Sequence, residues 1–146
     1  MGIFHRNRAK NQDEPNSMLE SIAQKNSAIA VDWARDFDKV LDYSQTGIAD
    51  VEEILDYYSK AIPSDQPTEQ EIWNMAIIFG SYLGEVLLKN GLRQKGYRWS
   101  QTDGCDIPLL REPNGWMLTP IDRVYKRLVN GSEDSVVSFY RYAITL

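Results

Sequence analysis

Up to Gly91 large apolar side chains return every three or four positions, whereas beyond Gly96 they fall in short runs separated by Gly, Pro, Asn and Asp. The first pattern is that of helices with one buried stripe, and the second that of short strands joined by turns. Leu19, Ile22, Ile29, Trp33, Phe37, Val40 and Leu41 share one stripe, which predicts a helix capped by Ser17. The stretch from Lys25 to Ala28 holds little that is apolar, and it predicts a break there into two helices. A second helix is expected from a cap at Ser44, through Ile48, Val51, Ile54, Leu55 and Tyr58, to a stop at Ile62 and Pro63.

Thr68 and Glu71 form a T-x-x-E capping box, in which each side chain satisfies a free backbone N–H at a helix start. The helix it opens, residues 69–89, is apolar over most of its circumference, as expected of a central helix covered on several sides. Into it are set Gly80, Gly84 and Glu85. Each glycine costs about 1 kcal/mol relative to alanine in a helix interior. Being one turn apart, the two glycines predict a notch where another element approaches closely. Asn90 and Gly91 close the helix.

GYRWSQ, DIPLLRE and GWMLTP, with turns at Asp103-Gly104 and Pro113-Asn114-Gly115, read as a three-stranded antiparallel meander. Pro108 fits a strand start or an edge, because it cannot donate to a ladder. Thr119 and Pro120 open a further helix that Asn130 and Gly131 stop, and Ser132 is the expected cap of a last helix carrying Val136, Phe139, Tyr140 and Ala143. The fold class is therefore α+β: N-terminal helices with a long central helix, a small three-stranded sheet, then two C-terminal helices. Residues 1–16 read as a disordered tail and residues 17–146 as a single domain.

Composition narrows the chemistry. A net charge of −5 argues against binding to nucleic acid or anionic lipid. No apolar run reaches the roughly 20 residues of a membrane helix, and no secretory signal opens the chain. With Cys105 the lone cysteine, these features predict a cytoplasmic protein that does not enter a membrane. The start, Met1-Gly2 with Arg6 at the position where a myristoylation signal has Ser or Thr, does not predict lipidation. His5, in the tail, is the only histidine. Ser/His and Cys/His nucleophiles and a His/Cys zinc site are thereby argued against, and neither a dinucleotide-binding nor a P-loop glycine signature is present. No catalytic residue, metal ligand or cofactor is assigned. Asp103 and Asp106 read as turn residues, and Cys105 has no evident activating neighbour.

One titratable group stands in an apolar context. Glu85 is either paired with Lys89, four residues on, or forms a wall of a binding site. Charge is also divided along the chain. Asp32 to Glu71 holds eleven acids and three bases, and Lys89 to Arg127 eight bases and four acids. Such a division can steer a charged protein partner, or simply provide solvated faces.

The segments LDYS (41–44), GSYLGEVLLKN (80–90), Arg98-Trp99 and TPIDRVYKRLVNGSEDSVVSFYR (119–141) together resemble a family of small bacterial proteins with a domain of unknown function. The resemblance implies no particular activity. It implies that Gly80, Gly84, Glu85, Trp99, Arg127 and the N-G-x-x-D-S turn form one structural device, with Glu85 paired to Arg98 or Arg127. The expected function is that of a nonenzymatic cytosolic protein-binding domain, an accessory or immunity-type protein, rich in the aromatic residues favoured at interfaces. The alternative is a small-ligand-binding protein or enzyme. Its pocket would be built around Glu85, Arg98 and Arg127, with Tyr82 and Trp99 completing the lining.

Overall fold

In a computed structural model the side chains are described from Ser17 to Leu146, and the tail expected over residues 1–16 lies outside the residues so described. The elements follow in the order α1 (Gly2–Arg35), α2 (Gly47–Asp65), α3 (Glu69–Leu87), β1 (Arg98–Ser100), β2 (Leu109–Arg111), β3 (Met117–Leu118), α4 (Pro120–Asn130) and α5 (Val136–Ala143). This is the expected α+β arrangement.

The break predicted at Lys25 to Ala28 is absent, and α1 runs through it. Its buried seam consists of Ala23, Ser27, Ala30 and Ala34, with Leu19 one turn earlier. Ser27 spends its hydroxyl on Gln24 O at 2.9 Å and on the Tyr43 hydroxyl at 3.0 Å. Small side chains at this spacing let α1 lie close along α3 without a large apolar residue in every turn. Ile22 and Ile29, expected inward, flank the seam and are 46% and 47% exposed. Phe37, Val40 and Leu41 lie beyond the helix end, where Asp38 adopts a left-handed conformation with φ 57°.

Ser44 does not cap α2. Its hydroxyl donates to Asp42 Oδ1 at 2.6 Å and its N–H to the same oxygen at 3.1 Å, closing a turn before the helix begins at Gly47. At the other end Pro63 sits inside the last turn, and Gln66, with φ 49°, supplies the left-handed stop by donating its N–H to Ile62 O at 2.9 Å. The capping box of α3 is formed as expected: Glu71 N donates to Thr68 Oγ1 at 3.1 Å and Thr68 N to Glu71 Oε1 at 3.1 Å. From Phe79 to Leu87 every residue of α3 is buried. The helix then widens into a π-type turn, Leu88–Leu92, which Gly91 completes with φ 144°.

The three strands pair antiparallel in the order β1-β2-β3, with Trp99 opposite Leu110 and Leu110 opposite Leu118. Those three side chains are buried. Pro108 precedes β2, where its missing N–H breaks no ladder. Pro120 occupies the first turn of α4, as expected. Ser132 does not cap the last helix: Ser132–Asp134 is a 3₁₀ turn, and Ser135 caps α5 by accepting from Ser138 N at 3.3 Å. The core centres on α3, with α1 along one side and α4 along another, while the sheet lies against α1 and α4 and reaches α3 through the Trp99 side chain.

Candidate functional site around the glycine-notched helix

The two glycines of α3 face different neighbours through the same notch. A Cβ on Gly80 would stand 2.5 Å from Ile121 Cα, inside the backbone of the first turn of α4. One on Gly84 would overlap the six-membered ring of Trp99 and meet Pro120 Cγ at 3.4 Å. Gly80 thus admits a helix and Gly84 an indole. The neighbouring Trp73 stacks on Tyr125 with centroids 3.9 Å apart, and the Tyr125 hydroxyl donates to Glu69, so α3 and α4 are joined along their length.

Glu85 is 2% exposed, and its Oε2 accepts from Trp99 Nε1 at 2.9 Å. Its partner is therefore neither of the arginines proposed for it. Successive strand residues face opposite sides of a sheet, so the turn of Trp99 toward α3 directs Arg98 outward. Arg98 is exposed and lies 3.7 Å from Glu20 Oε1. Lys89 does not pair with Glu85 either, since its ammonium stands over the Tyr43 ring at 4.9 Å.

Arg127 belongs to a second, separate network. Its Nε donates to Glu52 Oε2 at 2.5 Å and a terminal nitrogen to Asp56 Oδ1 at 2.7 Å, while Glu52 Oε1 accepts from Val136 N at 2.9 Å. One buried guanidinium thereby ties α2 to α4, and one carboxylate continues the tie to the start of α5. Burial opposes the charge on Arg127, but the bonds to Asp56 and Glu52 outweigh it and hold the guanidinium protonated. Lys60, and then Arg127, keep the Asp56 carboxyl below its ordinary range. The adjoining N-G-x-x-D-S turn is knit by Asp134, which accepts from Arg123 at 2.7 Å and from Asn130 at 2.8 Å.

Tyr82 forms a third cluster. Its hydroxyl accepts from Tyr43 N at 2.9 Å and its ring lies 5.0 Å from that of Tyr43. Asn90 Nδ2 donates to Tyr43 O at 3.0 Å, so the loop between α1 and α2 is pinned through one residue both to α3 and to the turn that follows it. Burial pushes the Tyr82 phenol up to about 12.

Of the five residues singled out, Glu85 and Trp99 meet, while Tyr82, Arg127 and Arg98 stand apart. A cleft of about 760 Å³ between the β1–β2 connection and α1 is lined by Arg98 and Trp99, and Tyr82, Glu85 and Arg127 are not among its walls. The sheet register adds residues that the sequence pattern did not single out. Arg98 is opposite Arg111, and Arg111 opposite Met117, so the outer face carries a row Arg98, Arg111, Met117. Met117 is 50% exposed and the adjacent Trp116 71% exposed. Alternation within the short runs, had their register been known, would have placed Arg98, Arg111 and Met117 on that face.

Among the described residues no helix is long and apolar enough to cross a membrane, and no group of three or more His, Cys, Asp or Glu side chains is placed to hold a metal ion. Comparison of the chain with protein-family models, curated proteins and solved structures finds no match.

Proposed function

We propose that the chain is a nonenzymatic, cytoplasmic protein-binding domain of accessory or immunity type, which docks its partner on the outer face of the sheet. The observation that carries this reading is a division of labour among polar and aromatic residues. Glu85, Tyr82 and Arg127 are each committed to a partner within the fold, while Arg98, Arg111 and Met117 are exposed in one row of the sheet and Trp116, next to Met117 in the chain, is exposed as well. Trp, Met and Arg are the residue types enriched at protein interfaces. A pocket walled by Glu85, Arg98 and Arg127 has less support, because those side chains face three different surroundings.

The test is affinity capture with the full chain at low salt, using wild type, Trp116→Ser/Met117→Ser and Val40→Ser. Val40 is 82% exposed and lies outside the sheet, so it controls for loss of any exposed apolar side chain. The expected result is one protein recovered by wild type and by Val40→Ser and lost with the double variant. Equal recovery by the double variant, or no recovered protein, overturns the reading.

A further inference from the structure

We infer that the cavity between the start of α2 and α5 is a binding site for a small organic acid, anionic at one end and carrying a hydrogen-bond acceptor at the other. The cavity has a volume of about 350 Å³, within the ~300–1,000 Å³ of small-molecule sites. Tyr140, one of its walls, is 4% exposed, and its hydroxyl has no hydrogen-bond partner among the described residues. A buried hydroxyl without a partner costs the fold the desolvation of that group, and phenylalanine would fill the same space without the cost. Burial raises the Tyr140 phenol above its ordinary range, so at neutral pH it keeps its proton and offers it to an acceptor.

Arg141, the next residue of α5, is exposed and is the only charged side chain in the lining. It makes no ion pair among the described residues. The nearby carboxylates of α2 are committed elsewhere: Asp50 lies 3.3 Å from the Lys39 ammonium, and Glu52 takes Arg127 and Val136 N. Thr46, at the start of α2, also lines the cavity and makes no side-chain cap, and the positive end of that helix adds to the attraction for an anion. Ile48, Val137 and Ile144 make the rest of the lining largely apolar. An inorganic anion would leave these walls uncontacted, and a neutral apolar ligand would leave the guanidinium without a counter-ion. The exposed guanidinium and the buried hydroxyl therefore set the order of groups in the ligand. A carboxylate, which the planar fork takes in bidentate fashion, is followed by an apolar body and then by the acceptor.

The probe is para-hydroxybenzoate, titrated into the isotope-labelled full chain and followed by NMR. The backbone N–H signals of Ala49 and Val137 should shift saturably, and those of Arg111 and Met117 on the sheet should stay in place. Arg141→Gln, at an exposed position, should weaken binding about tenfold. Tyr140→Phe should weaken it about fivefold while unfolding at a temperature no lower than wild type, because the lost hydroxyl has no partner in the fold. The inference is overturned if the millimolar acid moves neither Ala49 nor Val137, if para-hydroxybenzylamine binds equally well, or if either variant keeps full affinity. It is likewise overturned by a lower unfolding temperature in Tyr140→Phe, which would show that the hydroxyl serves the fold. The site is separate from the docking face, so Trp116→Ser/Met117→Ser should bind the acid with wild-type affinity. Loss of binding in that variant would place the acid on the sheet and sink the cavity assignment.

Discussion

Glu85 occupies the core with an indole N–H as its hydrogen-bond partner instead of a cation. A buried polar group is tolerated when bonded and costly when orphaned, and the penalty is larger for a charged group. The two sides of the bond should therefore respond differently to substitution. Glu85→Gln keeps an acceptor for Trp99 and removes a buried charge, so its stability should stay within about 1 kcal/mol of wild type. Trp99→Phe leaves the carboxylate without its donor and opens space beside Gly84; it should cost about 3 kcal/mol or more. Urea denaturation checks both, and a severe loss in Glu85→Gln would show that the negative charge itself is required. Tyr82 gives a pH-dependent counterpart. Its folded value of about 12 lies above the ordinary value near 10. Between those values the folded state holds the proton that the unfolded state releases. The contribution is whole below pH 10 and declines as pH rises toward 12, by about 2 to 3 kcal/mol in full. Because Tyr97, Tyr125 and Tyr140 shift in the same direction, the measurement is the difference in alkaline slope between wild type and Tyr82→Phe, with the shallower slope in the variant.

Between elements, the notch in α3 is what brings α4 and the indole of β1 onto the same helix. Alanine at Gly80 or Gly84 gains about 1 kcal/mol of helix propensity, yet its Cβ has no room. Both variants should be destabilised by about 2 kcal/mol net, with Gly80→Ala the more severe because it meets the Ile121 backbone and not the end of a side chain. Thermal unfolding checks the order. This notch was legible in the sequence because two glycines one turn apart weaken an apolar helix and gain nothing for it except room for a close neighbour. The capping box at Thr68 was legible because every atom of it lies within four residues. What failed in the first stripe was the inward placement of Ile22, Ile29 and Val40, whereas Leu19 and Leu41 are buried and Trp33 and Phe37 pack against the core as expected. A helix lying close to its neighbour instead uses Ala23, Ser27, Ala30 and Ala34, so a small-residue seam marked the buried face and its lack of bulk resembled a break. The start of α5 failed for a local reason, since Ser132 and Ser135 are both plausible caps and only the 3₁₀ turn between them decides. Of the residues named for the candidate site, Glu85 and Trp99 are in contact. Their bond was misassigned because the strand phase that turns Trp99 inward and Arg98 outward depends on pairing with β2.

At the scale of the molecule, the acidic and basic segments prove to be partly joined inside the fold. Arg127 takes Glu52 and Asp56, which lie 75 and 71 residues away in sequence and so leave no local signal. The available clue was that two carboxylates four apart on one helix present a pair of acceptors on one face, the geometry that suits a guanidinium fork. This network holds α2, α4 and the first turn of α5 together, so its loss should be felt beyond its own contacts. Arg127→Met removes both ion pairs while keeping apolar bulk. It should cost about 3 kcal/mol, at the lower end for a broken buried pair because the surviving carboxylates are 21% and 36% exposed and can rehydrate. Acid sensitivity supplies the second readout. The folded value of Asp56 is depressed, so its contribution is present above the ordinary carboxylate range and lost as pH falls through the folded value. In Arg127→Met that acid slope should shrink without vanishing, because Lys60 remains the larger cause of the shift. Hydrogen exchange localises the effect: Glu52→Ala, which leaves Val136 N without its acceptor, should deprotect α5 ahead of α3. Uniform deprotection of both helices would mean that α5 is held by the core and not by this carboxylate.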